Sequence, residues 1–204
     1  YLASNVWTAI MKAGISVVAS ASSKSLSPAL PIAGSMERER VTVLGKYDLF
    51  TVLGRGGMAE VFLAVARGPL GLRKLVVVKR MRADAEGDAG MVEMFLDEGR
   101  LAARLNHPNV VVTYDVGAEN GELFIAMEYL EGQSLRAVLR ESEARGRPLP
   151  HAMSARIVEG ALAGLHYAHE LNDLDGKPIE IVHRDVSPHN VFVNYDGQVK
   201  IVDF

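Results

Sequence analysis

From residue 46 onward the apolar positions follow two rhythms. Residues 46–53, 59–66 and 73–81 are short runs rich in Val, Leu and Phe, divided by glycine-rich breaks, and they predict three strands of an antiparallel meander. Residues 91–105 have helical spacing. Residues 110–116 and 122–127 read as strands around Asn120-Gly121, a pair that favours tight hairpin turns. Helices are predicted over 134–142 and 151–171, the second with Val158, Leu162, Leu165 and Ala168 on one stripe. A polar loop at 172–180 follows, then a hairpin of 191–194 with 198–202 around Asp196-Gly197. A β-rich first part and a helix-rich second part predict an α+β fold of two lobes with a cleft between them.

Before residue 46 the pattern is absent. Residues 1–35 hold no Asp or Glu and become Ser-, Ala- and Pro-rich, so 1–45 is expected to be a disordered or signal-like leader, or sequence upstream of a start at Met36. The chain begins at Tyr1 and stops at Phe204 inside an apolar stretch, and it reads as cut at both ends. Its longest uncharged span falls far short of the ~20 apolar residues a membrane helix needs, so no membrane segment is expected. The 22 Lys and Arg against 25 Asp and Glu give a net charge of −3, which offers no electrostatic footprint for nucleic acid. The absence of cysteine excludes disulfides, a thiolate nucleophile and Cys-ligated zinc, in keeping with a cytoplasmic location.

Four features carry candidate chemistry. In Leu53-Gly54-Arg55-Gly56-Gly57-Met58-Ala59-Glu60-Val61, glycines between two strands allow backbone to approach a ligand and present N–H groups to an anion; a plain tight turn would read the same way. The segment is not a Walker A loop, and a strand follows it where the dinucleotide fingerprint needs a helix. Lys79 alternates with Leu75, Val77 and Met81 on one face of its strand, so it either snorkels to solvent or meets a buried anion. Glu98 lies at same-face offsets from Met91, Met94, Leu101 and Leu105; on an apolar stripe it needs a cation, and Lys79 is the nearest candidate. A rotated stripe would leave it beside Arg104 or solvent. The fourth feature is Ile181–Val193, with His183-Arg184-Asp185 and Asn190, followed by Asp203-Phe204. Asp185, Asn190 and Asp203 are oxygen donors at strand ends, where Asn and Asp suit Mg²⁺.

Together these elements resemble the eukaryotic-like serine/threonine protein kinases of bacteria from about Lys46 to Phe204. The resemblance rests on Leu53–Val61, Val76-Val77-Val78-Lys79, Glu98, Met127-Glu128-Tyr129-Leu130, His183–Asn190 and Asp203-Phe204, in the family's order. It implies a first lobe with hinge over 46–130 and the first part of a helical second lobe over 131–204. It also implies an ATP- and Mg²⁺-dependent transfer of the γ-phosphate to Ser or Thr of an unidentified protein. Leu53, Gly54, Gly56, Gly57, Ala59 and Val61 would cover the nucleotide. Lys79, held by Glu98, would meet the α- and β-phosphates. Met127, Glu128 and Leu130 would border adenine, with Val61 and Val77 above the ring and Phe192 below. Asp185 would take or orient the substrate proton, Asn190 and Asp203 would hold Mg²⁺, and His183, Arg184 and Phe204 would support the loops.

Ala59 stands where the family usually has a third glycine, Val77 where it has alanine, and Ser187 where it has a lysine near the transferred phosphate. Ser187 leaves room for a nucleotide-binding scaffold without efficient transfer. A small-molecule phosphotransferase of the aminoglycoside type shares the His-x-Asp loop, but Arg184 favours a protein kinase. Since the residues that follow Asp-Phe in the family are not in the chain, the 204-residue piece alone is expected to be inactive and poorly soluble, with the apolar face of 151–171 uncovered.

Overall fold

The computed structural model describes residues 42–173 and 175–204; the expectations for 1–41, including the start at Met36, lie outside the described residues. Among the described residues, nine strands and three α-helices follow in order. β1 (Thr42–Leu44), β2 (Tyr47–Arg55), β3 (Ala59–Arg67) and β4 (Arg73–Met81) are antiparallel neighbours, and β6 (Glu122–Glu128) and β5 (Thr113–Glu119) extend the sheet to the order β1-β2-β3-β4-β6-β5. α1 (Ala89–Ala102) packs on one face of this sheet. The second part holds α2 (Leu135–Ala144), α3 (His151–His169) and a small sheet ordered β7-β8-β9, from Gly132–Ser134, Val191–Asn194 and Val199–Ile201. The architecture is α+β, as expected, with a β-rich first part and a second part that holds two helices and a small sheet.

Alternation along β4 explains how one sheet serves two cores. Val76 and Val78 face a cluster of Leu44, Tyr47, Phe62, Ala64 and Phe124. Met81, on the opposite face, joins Ala59, Phe95 and Ile125 beneath α1. The sheet curls enough for its distant strands to meet: the Tyr47 hydroxyl on β2 donates to Asp115 on β5 at 3.0 Å, and Lys46 reaches the same carboxylate at 2.8 Å. β1, in the region assigned to the leader, is three residues long and too short to show a period, yet Leu44 is fully buried in the first cluster. The sheet therefore starts before Lys46.

Two helical stripes sit differently from the expectation. On α1, Phe95 and Gly99 are buried while Met91 and Met94 are exposed, so the packed stripe is turned by roughly one residue. Asp88 starts the helix by accepting from the N–H groups of Gly90 and Met91. Leu105 lies beyond the helix end, in a cluster with Val110, Ala168 and Ile181. On α3 the buried positions are Ile157, Gly164 and Ala168, whereas Val158 and Leu162 are more than half exposed. The cause is steric: a Cβ on Gly164 would lie 2.7 Å from the Asn109 carbonyl, and one on Gly160 2.8 Å from Val199. Small residues bring α3 close, and the larger Val158 and Leu162 are left outward. Residues 110–112, expected in a strand, precede β5 and lie outside the named strands, with an isolated parallel bridge of Val110 to Ile201. Among the described residues of 172–180, Asn172 and Pro178 form an isolated antiparallel bridge and 175–178 are exposed.

Candidate active site

Between the six-stranded sheet and the small sheet lies a cavity of about 370 Å³, within the usual range for a small-molecule site. Leu53, Gly54, Val61 and Val77 line one wall, Met127, Glu128 and Leu130 the rear edge, and Phe192 and Val202 the floor; Lys79 and Asp203 close the deep end. Val77 and Val61 project from adjacent antiparallel strands, and Phe192 rises from β8 opposite them, so the slot is apolar on two sides.

The glycine turn joins β2 to β3, and the Gly56 N–H donates to the Ala59 carbonyl at 2.8 Å. An added Cβ would meet nothing within 4 Å at Gly54 or Gly57 and only an ordinary contact at Gly56. None of the three is among the glycines with positive φ. The protein's own packing therefore does not demand glycine at these positions. Gly56 and Gly57 stand outside the cavity lining, and Ala59 points into the core beneath α1 and offers no side chain to the cavity. As the first residue of β3, Ala59 shares a face with its register partner Met81.

At the deep end Lys79 forms an ion pair with Glu98, both side chains being less than a fifth exposed. The rotated stripe of α1 leaves Glu98 beside the buried line, yet Gly99 lets the helix approach β5 and β6 so closely that the carboxylate still reaches the lysine: a Cβ there would lie 2.9 Å from Val116. Burial pushes the Glu98 carboxyl above the usual carboxylate range, opposed by the Lys79 ammonium and reinforced by the charge of Asp203. Lys79 Nζ also lies 3.6 Å from Asp203 Oδ1, whose side chain is half exposed.

Below the cavity, the segment before β8 brings its polar groups together. Asn190 Nδ2 donates to the Asp185 carboxylate at 3.0 Å and to its carbonyl at 3.1 Å. The Val202 N–H donates to the Asn190 carbonyl at 3.0 Å, which sets Asn190 beside the strand end that carries Asp203. With its amide nitrogen engaged by Asp185, Asn190 has its Oδ1 left over, and Asp203 presents an exposed carboxylate. That pair suits a hard cation completed by water or phosphate oxygens. His183 is buried; its Nδ1 accepts from the Asp185 N–H at 3.4 Å, so Nε2 carries the proton and donates to the Val202 carbonyl at 3.0 Å. Its ring lies 4.6 Å from that of Phe204. Arg184, exposed, and Asp203 both hold left-handed backbone, with φ of 64° and 61°. Such conformations cost of order 1–3 kcal/mol each and concentrate at functional sites.

Residues that the sequence reading missed also line the cavity: Val111, Gly132, Gln133, Ser134 and Tyr195 among them. Tyr195 had no visible signal, because only tertiary pairing with β7 brings its hydroxyl to Gln133 Nε2 at 2.8 Å. Gly132 had one: a Cβ there would lie 2.3 Å from the Val193 carbonyl, so a glycine just after the predicted hinge marks a close crossing of two strands.

A family model described as the protein kinase domain matches residues 47–204. The chain is 43% identical over 160 residues to the tyrosine-protein kinase MasK of Myxococcus xanthus, with 78% of this chain and 25% of that protein covered. It is 35% identical over 162 residues to the serine/threonine-protein kinase PrkC of Bacillus subtilis, covering 79% and 23%. The serine/threonine-protein kinase PknB of Mycobacterium leprae is 37% identical over 163 residues, covering 78% and 24%. Among solved structures, the Mycobacterium tuberculosis PknI kinase domain aligns with a TM-score of 0.62 at 28% identity, over 80% of this chain and 61% of that one. The chain spans about a quarter of the length of these bacterial relatives.

Proposed function

Since this chain belongs to the protein kinase family, we propose that it binds ATP with Mg²⁺ in the cleft and transfers the γ-phosphoryl group to a protein hydroxyl. The observation that carries this reading is the convergence of one largely enclosed lysine, paired with Glu98, on Asp203 at 3.6 Å, at the strand end that a Val202–Asn190 hydrogen bond ties to the Asp185–Asn190 pair. The lobe division at 46–130 and 131–204 belongs to the same proposal.

Each residue has a physical task in it. Adenine inserts between Val61, Val77 and Phe192, an apolar burial worth a few kcal/mol at roughly 25 cal/mol per Å². Backbone groups of Glu128–Leu130 meet the adenine edge. The glycine turn lies over the phosphates, and Lys79, oriented by Glu98, neutralises the α- and β-phosphates. Asn190 and Asp203 would hold Mg²⁺, which would supply positive charge against the phosphates. Asp185 orients the substrate hydroxyl. As the hydroxyl oxygen bonds to Pγ and the bond from Pγ to the ADP oxygen breaks, the hydroxyl proton passes to the Asp185 carboxylate. His183, donating to Val202 and accepting from Asp185, holds the two loops in register. Positioning and charge neutralisation supply most of the rate enhancement.

The names of PrkC and PknB support serine or threonine as the acceptor, and that of MasK supports tyrosine. Ser187, standing where the family usually has a lysine near the transferred phosphate, supports a slower transfer or a nucleotide-binding scaffold. The test uses the intact protein. Asp185→Asn is expected to reduce phosphate incorporation from labelled ATP by about 10³-fold or more while nucleotide affinity stays within a few-fold. Phosphoamino-acid analysis of the wild-type product identifies the hydroxyl. Wild-type protein that binds nucleotide but incorporates no phosphate would establish the scaffold instead.

A further inference from the structure

A second lysine, Lys200 on β9, is more deeply buried than Lys79, at 4% exposure. Its ammonium lies 2.9 Å from Glu128 Oε2 and donates to the Val110 carbonyl at 3.3 Å. The same carboxylate oxygen accepts from the Val112 N–H at 3.3 Å, and the Glu128 N–H donates to the Val112 carbonyl at 2.8 Å. On the other side, the Val111 N–H donates to the Ile201 carbonyl at 2.9 Å and the Ile201 N–H to the Asn109 carbonyl at 2.8 Å. The stretch 109–112 is thus zipped to the end of β6 along one edge and to β9 along the other, and the Lys200–Glu128 pair ties those two outer strands directly.

The placement has a geometric meaning. Glu128 begins the segment whose backbone borders the rear of the cavity, and Lys200 precedes Asp203 by three residues, roughly 10 Å of extended chain. Lys79 reaches from the six-stranded sheet to Asp203, and Lys200 reaches back from β9 to that sheet's β6. Two ionic links in opposite directions, separated along one strand, determine both the distance and the rotation between the sheet and β9. A single link would determine only the distance.

We propose that Lys200 and Glu128 are a positioning pair that sets the adenine-bordering backbone at a fixed distance from the carboxylate of Asp203. The inference rests on the nucleotide-binding reading above. The pair faces away from the ligand: the Glu128 carboxylate is taken up by Lys200, so only its backbone serves the cleft. A buried ion pair of this kind need not stabilise the fold, because an apolar pair of similar volume often does as well. Its value in this chain is directional.

The test measures MgADP affinity by calorimetry and ATP kinetics on the intact protein. Lys200→Met leaves the partly buried Glu128 carboxylate without its cation, and is expected to lower thermal stability and to reduce kcat/KM by about 10²-fold, the scale of an ångström misplacement. The double variant Glu128→Gln with Lys200→Met removes both charges and is expected to recover the thermal stability, while MgADP affinity and kcat/KM stay at least tenfold down. If affinity and kcat/KM recover along with stability, the pair is structural only and the proposal is overturned. Glu128→Gln alone is nearly isosteric and provides a readout should both Met variants fail to fold: a several-fold loss of MgADP affinity supports the proposal, and an affinity within twofold of wild type overturns it. Wild-type protein that fails to bind MgADP would instead bring down the nucleotide-binding reading itself.

Discussion

The six-stranded sheet with α1 and the segment that follows it hold their charged groups in opposite ways. In the sheet, Lys79 and Glu98 are mostly enclosed, paired with each other, and backed by a cluster that includes Phe95 and Ile125. In the later segment, Asp185 and Asp203 are exposed and Asn190 is half-buried, and their placement comes from backbone: the left-handed residues Arg184 and Asp203, the His183 tether, and the zipper to β9. The first region sets its charges by side-chain packing, the second by loop geometry. Groups that neutralise an existing charge can be built in advance from packed side chains. Groups that must take a proton from a substrate, or accept a cation with its water, have to stay open to solvent.

Within the packed half, removing the enclosed charge gives the largest expected effect. Lys79→Met keeps the apolar stem and deletes the ammonium, which leaves Glu98 and Asp203 facing each other without a cation. Phosphoryl transfer should fall about 10²–10³-fold, the scale found when one preorganised donor is removed from a transition state. Lys79→Arg should fail to rescue it, because a guanidinium is a wide planar fork where the site holds a point charge. Steady-state assays of the intact protein with both variants check this. Near-wild-type turnover in Lys79→Met would show that the packed half of the site is dispensable.

How much of this contrast could be read from residues alone follows the same division. The strands of the sheet were legible because alternation records which face is buried; Val76 and Val78 against Lys79 is a signal local to seven residues. The partnership of Lys79 with Glu98 was legible because a carboxylate near an apolar stripe needs a cation. The exact stripe was not, since Met91 and Met94 look as apolar as Phe95, and only the close approach permitted by Gly99 selects between them. On α3 the same ambiguity hid the buried line, because Gly160 and Gly164 carry no hydrophobic signal although they decide the docking. Lys200 was silent for another reason: in a three-residue strand it looks like any solvated lysine, and its burial depends on Val110, 90 residues away in the chain.

A subtler break in the packed half follows from Gly99. Replacing glycine by alanine inside a helix ordinarily stabilises it by about 0.5–1 kcal/mol. At this position the new methyl would lie 2.9 Å from Val116 and 3.2 Å from Ile125, and forcing a methyl into a packed contact typically costs about 1–3 kcal/mol. The contact outweighs the propensity, so Gly99→Ala should be net destabilising by about 1 kcal/mol, read as a shift in the urea midpoint. The displaced helix carries Glu98 away from Lys79, and transfer should fall with it. Combining Gly99→Ala with Val116→Ala reopens the space and should restore both quantities.

The smallest expected effect concerns protons, and it separates the two halves without any change in packing. Burial raises the Glu98 carboxyl, so the folded protein holds that proton more tightly than the unfolded chain does. By linkage, this group's contribution to stability is fully present below the unfolded value of about 4.3 and is lost as pH rises through its higher folded value. Acidification from neutral pH therefore does not unfold the protein through Glu98. It does discharge the partner of Lys79, and that loss begins at a higher pH than for an ordinary glutamate. Nucleotide affinity should then decline on the acid side before the folded fraction does. Glu98→Gln, already without the charge, should bind more weakly at neutral pH and lose this part of the acid limb. Parallel titrations of MgADP affinity and of intrinsic fluorescence check the order. An affinity limb that coincides with acid unfolding, and persists in Glu98→Gln, would place the sensitive proton among the exposed carboxylates of the second region.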